Sequence, residues 1–215
     1  MSKSDDTKQL ILDTAKIEFM DKGYSDASVR NIAKQAGLTT GAIFRYFADK
    51  ESLFASLVSP VADHMLELYR KGEKRGFDSL TDGCPENMWN ISEEVISMLV
   101  EYIFANNDAF YLLISKSAGS AYENFVDQLV AEREKQTYEF QQEMIRRGYP
   151  CRALTPDEIH VLLSAQYYAI FEIVRHKLEK EEALDRIRLI ADFLAVHGNC
   201  TLRKEVFFCT LVSLI

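Results

Sequence analysis

The chain has 215 residues, of which 47% are hydrophobic, and its formal net charge at pH 7 is −8. A chain of this length buries roughly 70% of its unfolded surface, so it needs no disulfide or metal to stabilise its core. With 9 glycines and 4 prolines, it has too few turn-forming residues for a loop-rich β architecture, and a helical protein is favoured.

The negative charge is distributed unevenly along the chain. Residues 1–55 contain eight basic and eight acidic residues, so the rest of the chain carries the whole net charge of −8. An acidic surface repels nucleic acid and argues against binding over the whole molecule. A local basic cluster of Arg30, Lys34, Arg45 and Lys50 still permits phosphate contacts, and such binding would depend on salt and on DNA sequence.

The cysteines and the ends of the chain give no sign of a metal site or an export signal. Cys84, Cys151, Cys200 and Cys209 are widely spaced, without a CxxC pair or metal-ligand spacing. We interpret them as buried or surface thiols in a reducing cytosol. The N-terminus is polar, unlike a signal peptide, and no apolar run reaches the roughly 20 residues that span a bilayer. The sequence therefore predicts a cytoplasmic protein with no metal and no cofactor.

The first predicted helix runs from about Asp6 to Lys22 and ends at Gly23. Its apolar residues recur at helical spacing and are Ile11, Leu12, Ala15 and Phe19. Two short helices follow, separated by Gly37, whose tolerance of positive φ allows a sharp turn. Ser28 is expected to cap the first of them, with its hydroxyl accepting a backbone N–H. The apolar face of that helix consists of Val29, Ile32, Ala33 and Ala36.

The second short helix has two different faces. The face expected to be buried consists of Leu38, Ile43 and Phe47. The other face has small polar residues first and basic or aromatic residues one turn later, namely Thr39, Thr40, Gly41, Phe44, Arg45 and Tyr46. A short helix of this composition suits the major groove of DNA. The alternative is an ordinary helical hairpin in which Thr39 and Thr40 serve only as a cap.

A fourth helix is predicted after Asp49, which is placed to cap it. Its apolar residues are Leu53, Phe54, Leu57, Val58 and Val61. Pro60 lies inside this pattern and predicts a kink or a local break, because proline cannot donate the intrahelical hydrogen bond. The basic run Arg70–Gly76 is expected to end the helix, where cations complement the helix dipole.

Five further helices, joined by short loops and without a strand, are predicted for the rest of the chain. Their ranges are Pro85–Phe104, Ala109–Ser117, Ala121–Arg147, Pro156–Glu179 and Glu181–His197. Thr155–Glu158 forms a capping box with proline at the first helical position. The tail Gly198–Ile215 is apolar and β-branched. It could pack on a dimer, extend the last helix or be a mis-read end of the reading frame, and the sequence does not decide among these.

A resemblance to a known family rests on Ile11–Ala15, Phe19–Tyr24, Ser28–Lys50 and Lys50–Leu53. These segments resemble the DNA-binding domain of TetR-family transcriptional repressors. The resemblance implies an all-α fold of about nine helices, with a three-helix helix-turn-helix head in residues 1–50. It also implies a ligand-binding and dimerisation body in residues 51–197, followed by the tail in residues 198–215. The homodimer would be joined through the last two helices and would bind a palindromic double-stranded DNA operator.

The family pattern, where this sequence matches it, assigns nine residues to DNA contact: Ser28, Arg30, Thr39, Thr40, Gly41, Phe44, Arg45, Tyr46 and Lys50. Arg30 would reach a base edge or a phosphate, and Gly41 would let the DNA approach closely. Phe44 stands where the family often has tyrosine, so a phosphate hydrogen bond is lost there. Lys50 matches a common phosphate-binding lysine.

The body is rich in aromatic residues, which at helical spacing belong more often to a core than to a pocket. Family members usually bind a small molecule between the body helices, and aromatic pockets suit flat or apolar compounds. The candidate lining residues are Trp89, Tyr102, Phe104, Phe110, Tyr111, Tyr138, Tyr167 and Phe171. No polar anchor is identified for such an effector. Glu172 and His176 are interpreted as a hydrogen-bonded surface pair rather than a metal site.

The sequence thus favours a repressor that a small, largely apolar or aromatic effector releases from its operator. A DNA-binding regulator without an effector is the next alternative, and an activator fits the same pattern because the sign of regulation depends on operator position. A helical enzyme has little support. The chain has no glycine-rich phosphate loop, GxSxG motif or convincing carboxylate pair, so no catalytic residue is assigned.

Overall fold

The structure is a computed structural model that describes residues 3–81, 92–148 and 152–201. Within these residues it contains nine α-helices and no strand, as the sequence predicts. The first four helices are α1 Lys3–Asp26, α2 Val29–Gln35, α3 Thr40–Ile43 and α4 Lys50–Thr81. The remaining five are α5 Ser92–Ala105, α6 Asn107–Ser115, α7 Phe125–Arg146, α8 Pro156–Arg175 and α9 Lys180–Thr201.

The chain divides into two compact units. The first consists of the chain up to His64 together with Asn106–Phe125. The second consists of Met65–Ala105 and the chain from Val126 onward. The first unit is therefore larger than the predicted head, because it also contains α6 and the beginning of α4. The assignment of DNA binding to residues 1–50, and of ligand binding and dimerisation to residues 51–197, stays a prediction.

The core of the first unit begins with the apolar stripe of α1. Ile11, Ala15 and Phe19 are completely buried. The Phe19 ring meets Phe54 edge-on, with centroids 5.0 Å apart, and Tyr24 meets Phe54 at 5.2 Å. Such pairs contribute about 0.5–1.5 kcal/mol each beyond their buried area. They fix α1 on the first turns of α4.

Gly23 ends the regular part of α1, as predicted. Its φ of 76° and ψ of 169° are rarely accessible to residues with a Cβ atom. Gly37 similarly ends α2, with a φ of 68°. There the Leu38 N–H donates to Ala33 O at 2.8 Å and the Gly37 N–H to Lys34 O at 3.3 Å. This is the Schellman arrangement, which satisfies the last carbonyls of a helix and turns the chain towards α3.

Two predicted N-caps form and one does not. The Asp49 carboxylate accepts the Ser52 N–H at 2.7 Å. Thr155 forms both bonds of the predicted capping box with Glu158. Ser28 is at the N-cap position of α2, but its hydroxyl makes no capping bond. The prediction for that hydroxyl is wrong; the contact that Ser28 does make is through its own backbone N–H, which donates to the Glu18 carboxylate of α1 at 3.1 Å.

Helix α4 differs from its prediction in two respects. It continues through Pro60, so of the predicted kink or local break the break is absent; Val58, Val61 and Ala62 are buried on both sides of the proline. It also runs to Thr81 instead of ending in the basic run Arg70–Gly76. Lysine, arginine and glutamate are good helix formers, and they outweigh the two glycines of that run.

The later helices agree with the predicted pattern, with shifted ends. α7 begins at Phe125 and not at about Ala121, and α8 ends at Arg175 in a second Schellman turn around Lys177, whose φ is 50°. α9 reaches Thr201, so the tail begins as a continuation of that helix. The rest of the tail and the predicted start of the helix from Pro85 lie outside the described residues.

A tight contact joins the end of α1 to the segment after α6. Tyr24 N–H donates to Lys116 O at 2.8 Å, and Ser25 Oγ donates to Ala118 O at 2.6 Å. Gly119 follows with a φ of 86°, and a Cβ built on it would meet Ser25 Oγ at 2.5 Å. Glycine is therefore required here both by the backbone conformation and by the close approach of Ser25.

We expect Gly119→Ala to lower the free energy of unfolding of the first unit by about 2–5 kcal/mol. Alanine at positive φ costs about 1–2 kcal/mol, and the collision with Ser25 adds about 1–3 kcal/mol of overpacking. Urea unfolding measures the difference. Gly37→Ala is the matched control, because Gly37 also has positive φ but a Cβ there meets nothing within 4 Å. Ser25→Ala should restore part of the stability, and equal destabilisation by both glycine substitutions would contradict the contact.

Candidate DNA-binding surface

The turn of α3 presents most of the predicted DNA-contact residues on one exposed surface. Phe44 is 48% exposed, so this surface includes an apolar aromatic ring. Thr39, Gly41 and Arg45 are exposed, while Thr40 and Tyr46 are half-buried. On the opposite face Ile43 and Phe47 are buried and Leu38, at its edge, is half-buried. The two faces of the helix are thus divided as the sequence predicts, except that Leu38 is not buried.

Small residues leave the start of α3 accessible. Thr39 Oγ1 accepts the Ala42 N–H at 3.2 Å, and its hydroxyl proton remains available to a phosphate or base acceptor. A Cβ on Gly41 would meet only Thr39 Oγ1, at 3.9 Å. Glycine is not required there by packing within the chain. The absence of a side chain instead leaves the backbone open to an outside surface.

Two arginines flank this surface. Arg30 lies in the first turn of α2 and Arg45 just beyond α3, and both are exposed. Neither guanidinium forms an ion pair with another residue in the described part of the chain. Lys34 is also exposed, on the last turn of α2. These cations are therefore available to phosphate groups or base edges.

Glu18 fixes α2 against α1. Its side chain is buried, with 4% exposure, and Oε1 accepts the Ser28 N–H at 3.1 Å. It also accepts from Asn31 Nδ2 at 3.4 Å and, through Oε2, from Gln35 Nε2 at 3.3 Å. A carboxylate at a helix N-terminus interacts favourably with the helix dipole. Glu18 was not identified from the sequence; the available signal is an acidic residue on the same stripe as Ile11 and Ala15.

Lys50 lies at the start of α4, but its ammonium group points into the protein. Nζ donates to the carbonyls of Tyr24, Ser25 and Ala27 at 2.7, 3.1 and 3.2 Å. It also lies 4.4 Å from the centre of the Tyr24 ring, a favourable cation–π distance. Three bonds use all the donors of an ammonium group. A phosphate contact by Lys50 would require at least one of these bonds to be given up.

The neighbouring Tyr24 hydroxyl is held in its protonated form. Burial, together with a hydrogen bond to Glu51, raises the pKa of Tyr24 to about 12. Glu51 Oε1 also accepts the Ala121 N–H at 3.2 Å. Glu51 therefore joins the start of α4 both to the end of α1 and to the segment after α6.

The predicted effector residues are distributed over both compact units. Trp89 lies outside the described residues, and Phe110 and Tyr111 belong to the first compact unit. In the second unit Tyr167 and Phe171 are buried, and Tyr102 and Phe104 are half-buried. Tyr138 is 38% exposed. Their role in effector binding stays a prediction.

An open groove of about 530 Å³ lies between the end of α8 and α9. Its lining residues are Ala169, Glu172, Ile173, His176, Leu178, Arg186, Leu189 and Ile190. His176 Nε2 lies 2.9 Å from Glu172 Oε2, and both side chains are exposed, which confirms the predicted surface pair. Among the described residues, no group of three or more His, Cys, Asp or Glu side chains could hold a metal ion. No helix there is long and apolar enough to span a bilayer.

Residues 11–57 match the family of bacterial regulatory proteins called tetR. Among curated proteins, the chain is 39% identical over 66 residues to the transcriptional repressor AcnR of Corynebacterium glutamicum, covering 31% of this chain and 35% of that protein. It is 44% identical over 55 residues to the regulator AcrR of Shigella flexneri, covering 26% of each. These alignments span about a third of the relatives' length or less.

The fold of most of the chain is similar to that of two solved structures. A transcriptional regulator from Aquifex aeolicus superposes with a TM-score of 0.55 at 18% identity, covering 87% of this chain and 98% of that one. NalD from Pseudomonas aeruginosa superposes with a TM-score of 0.51 at 19% identity, covering 87% and 94%. The family match of residues 11–57 thus supports a TetR-family regulator, and the all-helical fold of most of the chain is similar to that of these solved structures.

Proposed function

We propose that the protein is a transcriptional repressor that binds a palindromic operator as a homodimer and is released by a small-molecule effector. The observation that carries the proposal is the exposed surface of α3. It combines small residues, an exposed Phe44 and an arginine without an ion pair among the described residues. A polar, cationic helix face of this kind matches phosphates at its edges and bases at its centre.

The known roles of similar proteins agree with this proposal. AcnR is described as a transcriptional repressor, and NalD as the secondary repressor of a multidrug efflux pump. These relatives are regulators rather than enzymes, and regulation in the cytoplasm is what we infer for this chain. The acidic remainder of the chain limits non-specific DNA affinity, so the local surface of α3 would determine site selection.

The proposed dimer contact is formed by α8 and α9. Val161 and Leu189 are 64% and 63% exposed on these helices, and Tyr168 is 38% exposed. Exposed apolar side chains of this size favour burial against another protein surface. In a twofold dimer the same patch on each subunit would meet its copy. Two heads must then lie roughly 34–36 Å apart to enter successive major grooves.

The effector is proposed to act by population shift. A ligand that prefers a subunit arrangement with the wrong head spacing weakens operator binding by its differential affinity for the two states. Within the first unit, the bonds from Tyr24 and Ser25 to Lys116 and Ala118 would transmit a displacement of the segment after α6 to the end of α1. That segment leads directly into α7, which belongs to the second unit from Val126 onward.

The purified protein should select a palindromic sequence from random duplex DNA, with half-sites one helical turn apart. Its affinity for DNA should fall steeply when the salt concentration is raised, because phosphate contacts release counterions. Sequencing of the retained duplexes and binding titrations measure both properties. Selection of a single asymmetric half-site would contradict the dimer, and recovery of no sequence preference would contradict the repressor.

Arg45 and Lys50 should respond to mutation in opposite ways. Arg45→Ala removes an exposed cation, so we expect weaker DNA binding at unchanged thermal stability. The salt slope should fall by about 0.9 for each phosphate that Arg45 no longer neutralises. Lys50→Gln removes three bonds within the protein, so we expect a stability loss of about 1–3 kcal/mol and an unchanged salt slope. Lys34→Ala serves as a second surface control for stability. A reduced slope with normal stability for Lys50→Gln would identify Lys50 as a phosphate ligand.

A further inference from the structure

The Glu18 carboxylate on α1 is held by hydrogen bonds from α2 and from the N-cap residue of α2. Its oxygens accept from the Ser28 N–H at 3.1 Å, from Asn31 Nδ2 at 3.4 Å and from Gln35 Nε2 at 3.3 Å. No lysine, arginine or histidine among the described residues forms an ion pair with it. A buried carboxylate costs free energy unless hydrogen bonds replace those to water, so these three bonds tie Glu18 to α2.

The three donors lie on one stripe of α2, and its two cations lie on another. Ser28, Asn31 and Gln35 are spaced by three and four residues, which places them on the same side of a helix. Arg30 and Lys34 are four residues apart and are both exposed. At 3.6 residues per turn, the centre of the second stripe lies about 110° around the axis from the first. A rotation of α2 that broke the bonds of the first stripe would therefore turn both cations by the same angle.

Helix α2 has only a small apolar contact of its own with the core. It consists of seven residues, fewer than the roughly 12 at which an isolated helix becomes marginally stable in water. Ile32 and Ala33 are its buried residues, and they attach it to the core along a narrow face. The bonds to Glu18 add contacts at both the first and the last turn. These contacts resist rotation of α2 about its axis.

We propose that Glu18 is a positioning residue for DNA binding, which acts through α2 on Arg30 and Lys34. Neither cation forms an ion pair within the described part of the chain. Phosphate contacts fix the register and orientation of a protein on the duplex, so a rotation of α2 would withdraw both cations from their phosphates. Glu18 itself is buried and does not touch the DNA. The inference rests on the proposed function and names the residue that directs two of its cations.

Glu18→Leu removes all three acceptors and replaces the carboxylate by an apolar group of similar size. Asn31 and Gln35 are exposed, so their amides return to water, and the cost of a buried charge disappears. We therefore expect an almost unchanged midpoint of thermal unfolding but about tenfold weaker binding to the selected duplex. The salt slope should fall by about 0.9 for each phosphate contact that is lost. Unchanged affinity and slope in this variant would overturn the proposal.

Glu18→Gln tests whether hydrogen-bond geometry or charge is responsible. Its amide oxygen can still accept the Ser28 N–H, and the Gln35 amide can turn its own oxygen towards the new amide nitrogen. We expect DNA affinity close to that of the original protein. A carboxylate repels phosphate, so a direct effect of its charge would make both variants bind more tightly. Tighter binding by both, or binding by Glu18→Gln as weak as that of Glu18→Leu, would contradict the positioning role.

A double-mutant cycle separates positioning from a general loss of structure. In the Arg30→Ala/Lys34→Ala background the cations are already absent, so adding Glu18→Leu should weaken binding little further. In the matched Arg45→Ala background, the removed cation lies outside α2, and Glu18→Leu should again weaken binding about tenfold. An equal loss in both backgrounds would mean that Glu18 acts by stabilising the fold, and it would overturn the proposal.

Asn31→Ala/Gln35→Ala serves as a second variant in case Glu18→Leu fails to fold. It removes two of the three donors at exposed positions and should also reduce the affinity and the salt slope, but not in the Arg30→Ala/Lys34→Ala background. Binding of the original protein is measured in the same titrations. If it binds no duplex, the proposed repressor fails together with this role. If it binds its selected duplex and the cycle shows equal losses, only the role of Glu18 fails.

Discussion

The turn Gly23–Ala27 at the C-terminal end of α1 is the constraint on which the geometry of the first unit depends. A helix end leaves carbonyls without intrahelical partners, and here Lys50 of α4 satisfies three carbonyls from this turn. The same turn bonds to Lys116 and Ala118 after α6. One short segment thus determines how α4 and the segment after α6 are placed relative to α1. The surface of α3 therefore belongs to a unit whose other helices are already joined by hydrogen bonds of this turn; we call these joined helices the frame.

Much of the first unit is predictable because its determinants are local. Gly37 adopts the positive φ expected of it and Gly23 ends the regular part of α1 as expected, and the buried face of α3 follows from the spacing of Ile43 and Phe47. The predictions for Ser28 and for the end of α4 at Arg70–Gly76 are wrong for different local reasons. Ser28 contacts the Glu18 carboxylate of α1 through its backbone N–H and makes no capping bond through its hydroxyl, and α4 is extended by good helix formers.

The polar groups of the interior are not predictable by the same reasoning. Glu18 and Arg133 lie on the apolar stripes of long helices that contain many charged residues. From the sequence alone, both would be interpreted as surface residues. Their burial depends on partners elsewhere in the fold, such as Asn31 and Gln35 for Glu18. The aromatic composition of the body likewise predicts a pocket but does not say which aromatic residues line it. Phe110 and Tyr167, both named as candidates, belong to different compact units. A polar residue in register with an apolar stripe is therefore more informative than another aromatic residue.

Hydrogen–deuterium exchange of the protein, with and without its selected duplex, tests the central claim most directly. The claim is that a preformed frame presents α3 to DNA. It predicts that Gly23–Ala27 is protected already in the free protein and that DNA adds protection in residues 38–48. Rapid exchange of Gly23–Ala27 before DNA is added, or new protection confined to other helices, would contradict it.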